Sequence, residues 1–286
     1  MLNMRKPFPA LFIHGGAGGP FPKDRQEKVR LKLWSVCEKG FDHLKSHSAL
    51  ETAVRVVRLL EDDPLFNAGT GSVLQADGKA RMSSSVMDGF TGRFAGVINI
   101  EQIKNPIRVA EILLEKSDRI LAGPEATRFA RSLGIPSWNP ITSERRIQWR
   151  RHLKESSPGT VGAVAVDRNG RLAAATSSGG KLGAAPGRVS DSALPSGNYA
   201  DTWSAVSCTG LGEDIVEEAL AARLVQQASD EPSLEEVFLC AFKPIARRNR
   251  RVAAIGVDLS GNLAWGTLLP RLYAVGFSGR RRLETF

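Results

Sequence analysis

The chain has 286 residues, of which 42% are hydrophobic and 24% are charged. This composition is that of an ordinary globular protein with a substantial core, and it excludes collagen-like, low-complexity and wholly disordered chains. The formal net charge of +9 suggests an anionic partner at first sight. The arginine clusters are not interleaved with aromatic residues, however, and no nucleic-acid-binding motif accompanies them, so we expect a solvated basic surface and keep nucleic-acid binding only as a rival hypothesis.

The first half of the chain is predicted to mix strands and helices. A short strand over 10–13 leads through a glycine-dense turn into a helix over about 24–44. Ser48-Ala49-Leu50-Glu51 is a capping-box pattern with apolar residues at helical spacing behind it, so a second helix is expected before Pro64. The later predicted elements are strands near 72–75, 82–87 and 94–100, and helices over 106–116 and 124–133.

The segment from Gly134 to Pro158 differs in kind from what precedes it. It carries three prolines and several basic residues without clean periodicity. We therefore predict an exposed linker over 134–159, which is unusually long for the inside of a compact domain.

The second half is predicted to begin with a β-hairpin. Strands over 160–166 and 172–176 are joined by a turn that contains Asn169-Gly170, a strong hairpin signal. The further predicted elements are a strand over 205–209, helices over 213–227 and 233–247, and strands over 252–257 and 263–265. Such blocks of strands and helices indicate sheets that are covered by helices.

Targeting, redox and cofactor signals are weak. The apolar runs are far shorter than the roughly 20 residues that span a bilayer, and the N-terminal segment has no signal-peptide core. Three widely spaced cysteines argue for reduced thiols. The glycine-rich turns match neither the dinucleotide nor the phosphate-loop spacing, and His43 with His47 lacks the glutamate of a zinc-hydrolase motif. We expect a cytoplasmic protein with no membrane partner and no catalytic cofactor.

The dipeptide Gly159-Thr160 lies where the linker meets a strand. Glycine before a hydroxyl residue permits a strained backbone, and strain can favour an N-to-O acyl shift and cleavage of that bond. Cleavage would give Thr160 a free α-amine with a pKa of about 7.7 to 8.0 beside its own hydroxyl, a suitable general base and nucleophile. Such a dipeptide at a strand start is also ordinary, so the residues alone leave catalysis and plain structure both open.

Seven runs of sequence in order carry a family resemblance along nearly the whole chain. They are HGGAG from His14, SALETAVRVVRLLEDDPLFNAGTGSVL from Ser48, SVMDG from Ser85, NPIRVAEILLE from Asn105, GTVGAVAVDRNGRLAAATSSGG from Gly159, GRVSDS from Gly187 and CTGLGE from Cys208. The sequence resembles plant-type asparaginases, also called isoaspartyl peptidases, which are N-terminal-nucleophile hydrolases.

The resemblance implies an α+β fold, a four-layer αββα sandwich formed by one domain over 1–286. It implies autocatalytic cleavage between Gly159 and Thr160 into an α chain, 1–159, that ends in the linker, and a β chain, 160–286, that begins with the nucleophile. Two such units would pair, as a homodimer of the precursor or as (αβ)2 after cleavage. The activity implied is hydrolysis of L-asparagine, of β-aspartyl dipeptides, or of both.

The resemblance also assigns roles to site residues. The catalytic group would comprise Thr160 as nucleophile, Ser178 as a second hydroxyl where the family usually has threonine, Thr209 and Gly210 for the oxyanion, and Asn67. Arg188 and Asp191 would bind the α-carboxylate and the α-ammonium of a small substrate. The loop from Glu61 through Phe66 to Asn67 resembles the family's sodium-binding loop, which uses mainly backbone carbonyls, so a structural sodium ion is expected.

Departures from the family pattern keep other functions open. Ser190 stands where relatives usually have glycine, and the change would be costly if that residue needs a positive φ. Arg81 lies in a run that replaces a more acidic stretch, and Arg119 replaces a usual histidine. The alternatives are a glycosylasparaginase, a taspase-like hydrolase, and a relative that never matures and acts as a binding protein.

Overall fold

A computed structural model describes residues 8–151, 159–231, 233–279 and 281–286. The strands are β1 (Ala10–Gly18), β2 (Met82–Asp88), β3 (Arg93–Ile100), β4 (Ile120–Ala122), β5 (Val161–Val166), β6 (Leu172–Ser178), β7 (Asn198–Ala200), β8 (Ser204–Gly210), β9 (Val252–Asp258), β10 (Leu263–Thr267), β11 (Arg271–Ser278) and β12 (Arg281–Glu284). The helices are α1 (Lys23–Leu44), α2 (Ala49–Glu61), α3 (Pro106–Leu113), α4 (Gly123–Ser132), α5 (Ser143–Arg150), α6 (Gly212–Glu217), α7 (Leu220–Ala228) and α8 (Leu234–Ala246).

The strands form two sheets that pack face to face. The larger sheet has the order β12-β11-β1-β5-β6-β2-β3-β4, and the smaller has the order β10-β9-β8-β7. Helices α1 to α4 cover the outer face of the larger sheet, and α7 and α8 cover that of the smaller. Separate apolar clusters fill the three interfaces between the layers. The predicted α+β fold with four αββα layers is confirmed.

Strand β5 shows why the sequence builds this arrangement. Its alternate residues Ala163 and Ala165 belong to the core under the helices, whereas Val164 and Val166 belong to the core between the sheets. A strand that is buried on both faces needs small or branched apolar residues at every position, and this strand has them. It therefore lies near the centre of the larger sheet, between β1 and β6.

Two local predictions are confirmed in detail. The Ser48 hydroxyl accepts a hydrogen bond from the Glu51 backbone N–H, and the Glu51 carboxylate accepts one from the Ser48 N–H, so the capping box is formed. The β5–β6 hairpin turns at Asp167–Gly170, where Gly170 has a φ of 75°. The Asp167 carboxylate accepts a further bond from Ala49 N–H and so ties this turn to the start of α2.

Other local predictions are wrong or incomplete. Residues 72–75 form no strand, and the helix predicted over 213–227 is two helices that are separated at Ala219, whose φ is 46°. The predicted linker contains helix α5, whose residue Arg145 is buried and donates from Nε to the Gly71 carbonyl at 2.6 Å. Strands β4, β7, β11 and β12 were not predicted. Residues 152–158 of the linker lie outside the described residues.

Two further observations bear on the chain's surroundings. Within the described ranges, none of the helices combines the length and the apolar character that crossing a membrane requires. The three cysteines are unpaired, with Cys37 and Cys208 buried and Cys240 exposed.

Candidate active site

A cleft with a volume of about 440 Å³ opens where β5 begins and where β6 and β8 end. It receives glycine-rich loops from both sheets, which leave room for a ligand. The residues that line it are Ala17, Gly18, Gly19, Pro20, Phe21, Pro22, Gly159, Thr160, Ser178, Gly180, Lys181, Arg188, Ser190, Asp191, Gly210, Leu211, Gly212, Arg251 and Leu269.

The sequence-predicted hydroxyl pair meets in this cleft. Val161 pairs with Ser177 in the β5–β6 ladder, so Thr160 and Ser178 lie opposite each other just beyond it. The Thr160 Oγ1 donates to the Ser178 Oγ at 3.2 Å, and that Oγ accepts a second bond from the Gly180 N–H at 2.9 Å. Thr160 is only 6% exposed. A nucleophile here would be partly desolvated and fixed by a hydroxyl that is itself fixed by the backbone.

The predicted oxyanion residues lie on the smaller sheet. Thr209 is fully buried, and its Oγ1 has no hydrogen-bond partner among the described residues. The same oxygen lies 3.8 Å from the place that a Cβ on Gly159 would occupy. Gly210 lines the cleft with a φ of 131°, a conformation that favours glycine. A buried hydroxyl with an unused donor beside the Gly159–Thr160 bond fits a group that stabilises negative charge.

Asn67 is not among the described residues that line the cleft. Its Nδ2 donates to the Gly180 carbonyl at 2.8 Å, and its backbone carbonyl accepts from the Gly179 N–H at 2.7 Å. Its Oδ1 accepts from the Val73 N–H. Asn67 thus fixes the turn that follows Ser178 and reaches the site through that turn.

The two predicted substrate-binding residues flank Gly212. A Cβ on Gly212 would lie 2.6 Å from Arg188 Nη2 and 2.7 Å from Asp191 Oδ1. A side chain at this position would therefore fill the space between the two charged groups. Asp191 is buried, its Oδ2 has no partner among the described residues, and burial raises the pKa of its carboxyl to about 6. An unpaired buried carboxylate oxygen in a cleft is the partner that a substrate ammonium requires.

Glu213, which the sequence analysis missed, holds Arg188. Its carboxylate accepts from Arg188 Nε and Nη2, both at 3.0 Å. The bidentate pair orients the guanidinium and leaves the Nη1 protons for another acceptor. Sequence spacing gives no signal for this pair, since the two residues are separated by a loop, a 3-10 turn and two strands.

The concern about Ser190 is resolved by its backbone. Its φ is −88°, so no left-handed conformation is imposed on a residue with a side chain. Its Oγ donates to Asp191 Oδ1 at 3.2 Å and accepts from the Ser192 N–H. Arg81 forms ion pairs with Asp77 and Glu101.

The sequence motifs also did not indicate a row of buried, hydrogen-bonded polar side chains close to Thr160. His14 pairs with Gly162 in the β1–β5 ladder, and its Nε2 lies 2.9 Å from Ser207 Oγ, which lies 2.7 Å from Thr176 Oγ1. Burial lowers the pKa of His14 to about 3, an effect that contact with the Thr160 backbone partly offsets. The imidazole is therefore neutral, and it supports the strand that carries Thr160.

Some contacts of the predicted sodium loop fit a bound cation, and others do not. Glu61 is buried, and its Oε2 has no partner among the described residues, which fits a nearby cation. The Phe66 carbonyl, however, accepts a long bond of 3.4 Å from the buried Arg145 guanidinium, and the Glu61 carbonyl accepts from Thr70 N–H. A sodium ion would fit at the Glu61 end of the loop, where a carboxylate oxygen is unused. No cluster of three or more His, Cys, Asp or Glu side chains that could hold a metal occurs in the part of the chain that is described.

The layered fold and the polar cleft define the class of N-terminal-nucleophile hydrolases. A family model described as Asparaginase matches residues 7–284. An isoaspartyl peptidase/L-asparaginase from Nostoc sp. is 42% identical over 299 residues, which cover 97% of this chain and 94% of the relative. The protein of the same name from Synechocystis sp. is 41% identical and covers 95% of this chain and 88% of its own length.

A plant-type L-asparaginase from Pyrococcus abyssi is 40% identical over 235 residues, with 74% of this chain and 77% of the relative covered. The chain belongs to the asparaginase family. The resemblance inferred from the sequence motifs is thus confirmed, and the protein is a hydrolase.

Proposed function

We propose that this protein hydrolyses the side-chain amide of L-asparagine and the isopeptide bond of β-aspartyl dipeptides to release L-aspartate. The observation that carries the proposal is the Thr160–Ser178 hydroxyl pair, which shares one cleft with Arg188 and Asp191. The printed names of the relatives, isoaspartyl peptidase and L-asparaginase, support the same substrates.

The first proposed step is maturation of the chain. Thr160 Oγ1 attacks the Gly159 carbonyl carbon, an ester forms, and the C–N bond breaks as the nitrogen takes the hydroxyl proton. Water then hydrolyses the ester and leaves chains 1–159 and 160–286. The unpartnered Thr209 hydroxyl near Gly159 supports this step, because it is a donor for the oxyanion that forms on that carbonyl.

Substrate binding in the mature enzyme would rely on opposite charges. The Arg188 guanidinium, oriented by Glu213, would bind the α-carboxylate through its remaining protons. The Asp191 carboxylate would accept the α-ammonium. Such a two-point clamp places the side-chain carbonyl toward Thr160 and converts attack into an intramolecular event.

In the proposed reaction the freed Thr160 amine takes the proton from Oγ1, which attacks the substrate carbonyl carbon. The Thr209 hydroxyl and the Gly210 N–H donate to the oxyanion. The protonated amine then gives its proton to the leaving nitrogen, so ammonia or an amino acid departs. Water, deprotonated by the same amine, hydrolyses the acyl-enzyme and releases aspartate.

The proposal extends to a structural sodium ion at the loop from Glu61 to Asn67, held by the unpartnered Glu61 carboxyl oxygen together with backbone carbonyls of that loop. Such an ion would order the loop that carries Asn67. Exchange of sodium chloride for choline chloride should then lower Tm, and an unchanged Tm would argue against the ion.

We further propose a cytoplasmic homodimer, with two units before and after cleavage. Sedimentation should then give twice the 30.9 kDa of one chain. A mass of one chain at all concentrations tested would contradict the pairing.

The deciding experiment follows the purified protein by mass spectrometry while assaying L-asparagine, a β-aspartyl dipeptide and a glycosylated asparagine. We expect a chain beginning at Thr160 and hydrolysis of the first two substrates. Thr160→Ala should stay full length and inactive, whereas Thr202→Ala, at an exposed position outside the cleft, should behave as wild type. A full-length wild-type band after long incubation would instead favour the non-maturing binding protein.

A further inference from the structure

Two positive side chains in the cleft, those of Lys181 and Arg251, have no role in the proposed reaction. Lys181, Arg188 and Arg251 all line the cleft. Arg188 is paired with Glu213, and Lys181 lies close enough to the same carboxylate to affect its pKa. The Arg251 side chain has neither an ion pair nor a hydrogen bond among the residues that the structure describes, and it is exposed.

The backbone of Arg251 is fixed directly beside the proposed oxyanion site. Its carbonyl accepts from the Leu211 N–H at 2.8 Å and packs against Gly210, where a Cβ would collide with it. Its N–H donates to Asp214 Oδ2 at 2.7 Å. The residue comes just before β9, whose Val252 pairs with Gly210. The position of Arg251 is thus set by backbone contacts that do not involve its side chain.

The size of the cleft exceeds the need of one small amino acid. A volume of about 440 Å³ lies within the range of pockets for larger ligands, roughly 300–1,000 Å³. The Arg188–Asp191 pair accounts for the aspartyl part of a substrate. The cleft lining also includes Leu211, which follows the proposed oxyanion residue Gly210, and Arg251, whose backbone packs against Gly210. A leaving group attached to the carbonyl that Gly210 binds would lie in this part of the cleft.

The two proposed substrates differ in their leaving groups. Asparagine releases ammonia, which is small and carries no acidic group. A β-aspartyl dipeptide releases an amino acid whose α-carboxylate stands three bonds from the scissile carbonyl carbon. A free guanidinium near that carbonyl would match such a carboxylate in charge and in geometry.

We propose that Arg251 binds the α-carboxylate of the departing amino acid and thereby makes β-aspartyl dipeptides the preferred substrates over asparagine. This inference rests on the proposed function, because it concerns the other end of the same cleft. Arg251 then acts as a specificity-determining residue, and its contact is absent when the substrate is asparagine.

The test compares kcat/KM for β-aspartyl-leucine, β-aspartyl-leucinamide and L-asparagine in wild type and in the Arg251→Ala variant. We expect the ratio of the dipeptide value to the asparagine value to fall about 10- to 100-fold in the variant, as loss of a charged hydrogen bond predicts. In wild type the leucinamide, which lacks the carboxylate, should be a correspondingly poorer substrate than the dipeptide. Arg247→Ala, an exposed arginine at the end of α8 outside the cleft, is the matched control and should leave the ratio unchanged.

Two outcomes would overturn the inference: an unchanged ratio in Arg251→Ala, as equal loss on all substrates would give, or an equal loss of the ratio in Lys181→Ala. Circular dichroism and Tm show whether the variants remain folded. If wild type hydrolyses none of these substrates, the proposed function fails separately. In that case the affinities of wild type and of Arg251→Ala for intact β-aspartyl-leucine, measured by calorimetry, still test the Arg251 contact. Equal affinities would show that Arg251 does not bind the carboxylate.

Discussion

The Thr160 hydroxyl lies 3.2 Å from the Ser178 hydroxyl, and the register of β5 and β6 places these residues opposite each other. Ser178→Ala removes the oxygen and leaves Thr160 without this partner. We expect cleavage of the chain and turnover to slow by about 100-fold, because the attacking oxygen loses the hydroxyl that positions it.

Ser178→Thr is the matched control, because it keeps the oxygen and restores the family's usual residue. Its cleavage and turnover should stay near wild type, as followed by gel electrophoresis and an ammonia-release assay. Equal rates in the alanine variant and in wild type would show that the second hydroxyl does not assist the reaction.

The pairing of Glu213 with Arg188 predicts a change in substrate affinity. Glu213→Gln cannot hold both Nε and Nη2 as a carboxylate does, so the guanidinium should lose its fixed orientation. We expect KM for asparagine to rise about tenfold while kcat changes less than about twofold. Glu217→Gln is the control, since Glu217 pairs with Arg250 away from the cleft. A fall in kcat with an unchanged KM would contradict a positioning role.

The raised pKa of Asp191 predicts how product binding depends on pH. Burial raises the pKa of this carboxyl to about 6, so below pH 6 the group becomes neutral and offers no charge to an ammonium. The inhibition constant of L-aspartate should therefore rise about tenfold for each pH unit below 6, measured down to about pH 4.5.

Succinate provides the control for this pH dependence, because it lacks the α-ammonium. Its inhibition constant, expressed for the succinate dianion, should not rise in the same pH range, since a neutral Asp191 removes repulsion rather than attraction. Parallel profiles for the two inhibitors would show that Asp191 does not bind the ammonium.

Burial of His14 predicts acid destabilisation of the fold. Its pKa is about 3 in the native state and 6.5 in the unfolded chain, so between these values the unfolded state holds one more proton. The free energy of unfolding should therefore decrease as pH falls below 6.5, by up to about 1.4 kcal/mol per pH unit.

Urea unfolding at several pH values tests this slope. In His14→Gln the decrease between pH 6.5 and 4.5 should be smaller by about 2 to 3 kcal/mol than in wild type. Identical slopes in wild type and the His14 variant would contradict the prediction.

Much of the fold could be predicted because the relevant signals are local. The capping box of α2 and the Asn-Gly turn of the β5–β6 hairpin need only neighbouring residues. The strand predicted over 72–75 failed because its backbone bonds run elsewhere: Gln75 N–H binds Lys79 and Ala76 N–H binds Ala184. Whether an extended segment joins a ladder depends on distant partners, which periodicity does not report.

The site residues also divide into those that a local motif indicates and those that only contacts between distant segments reveal. The motif resemblance singled out Thr160, Ser178, Arg188 and Asp191, and the structure brings them to one cleft. It assigned no role to Glu213, although this residue ends the matched run CTGLGE, and it did not include Arg251, because their contacts join segments that are distant in sequence. Arg145 shows the limit most clearly, since an arginine in a polar stretch looks solvated until its bond to the Gly71 carbonyl is seen.

That buried arginine also limits what a cut after Gly159 could release. Arg145 anchors helix α5 to the loop around Gly71, so only nine residues of sequence, 151–159, separate that helix from the new carboxyl terminus. At full extension they span about 30 Å. The new carboxyl terminus would thus remain tethered within reach of the cleft, where it could compete with incoming substrate instead of drifting away.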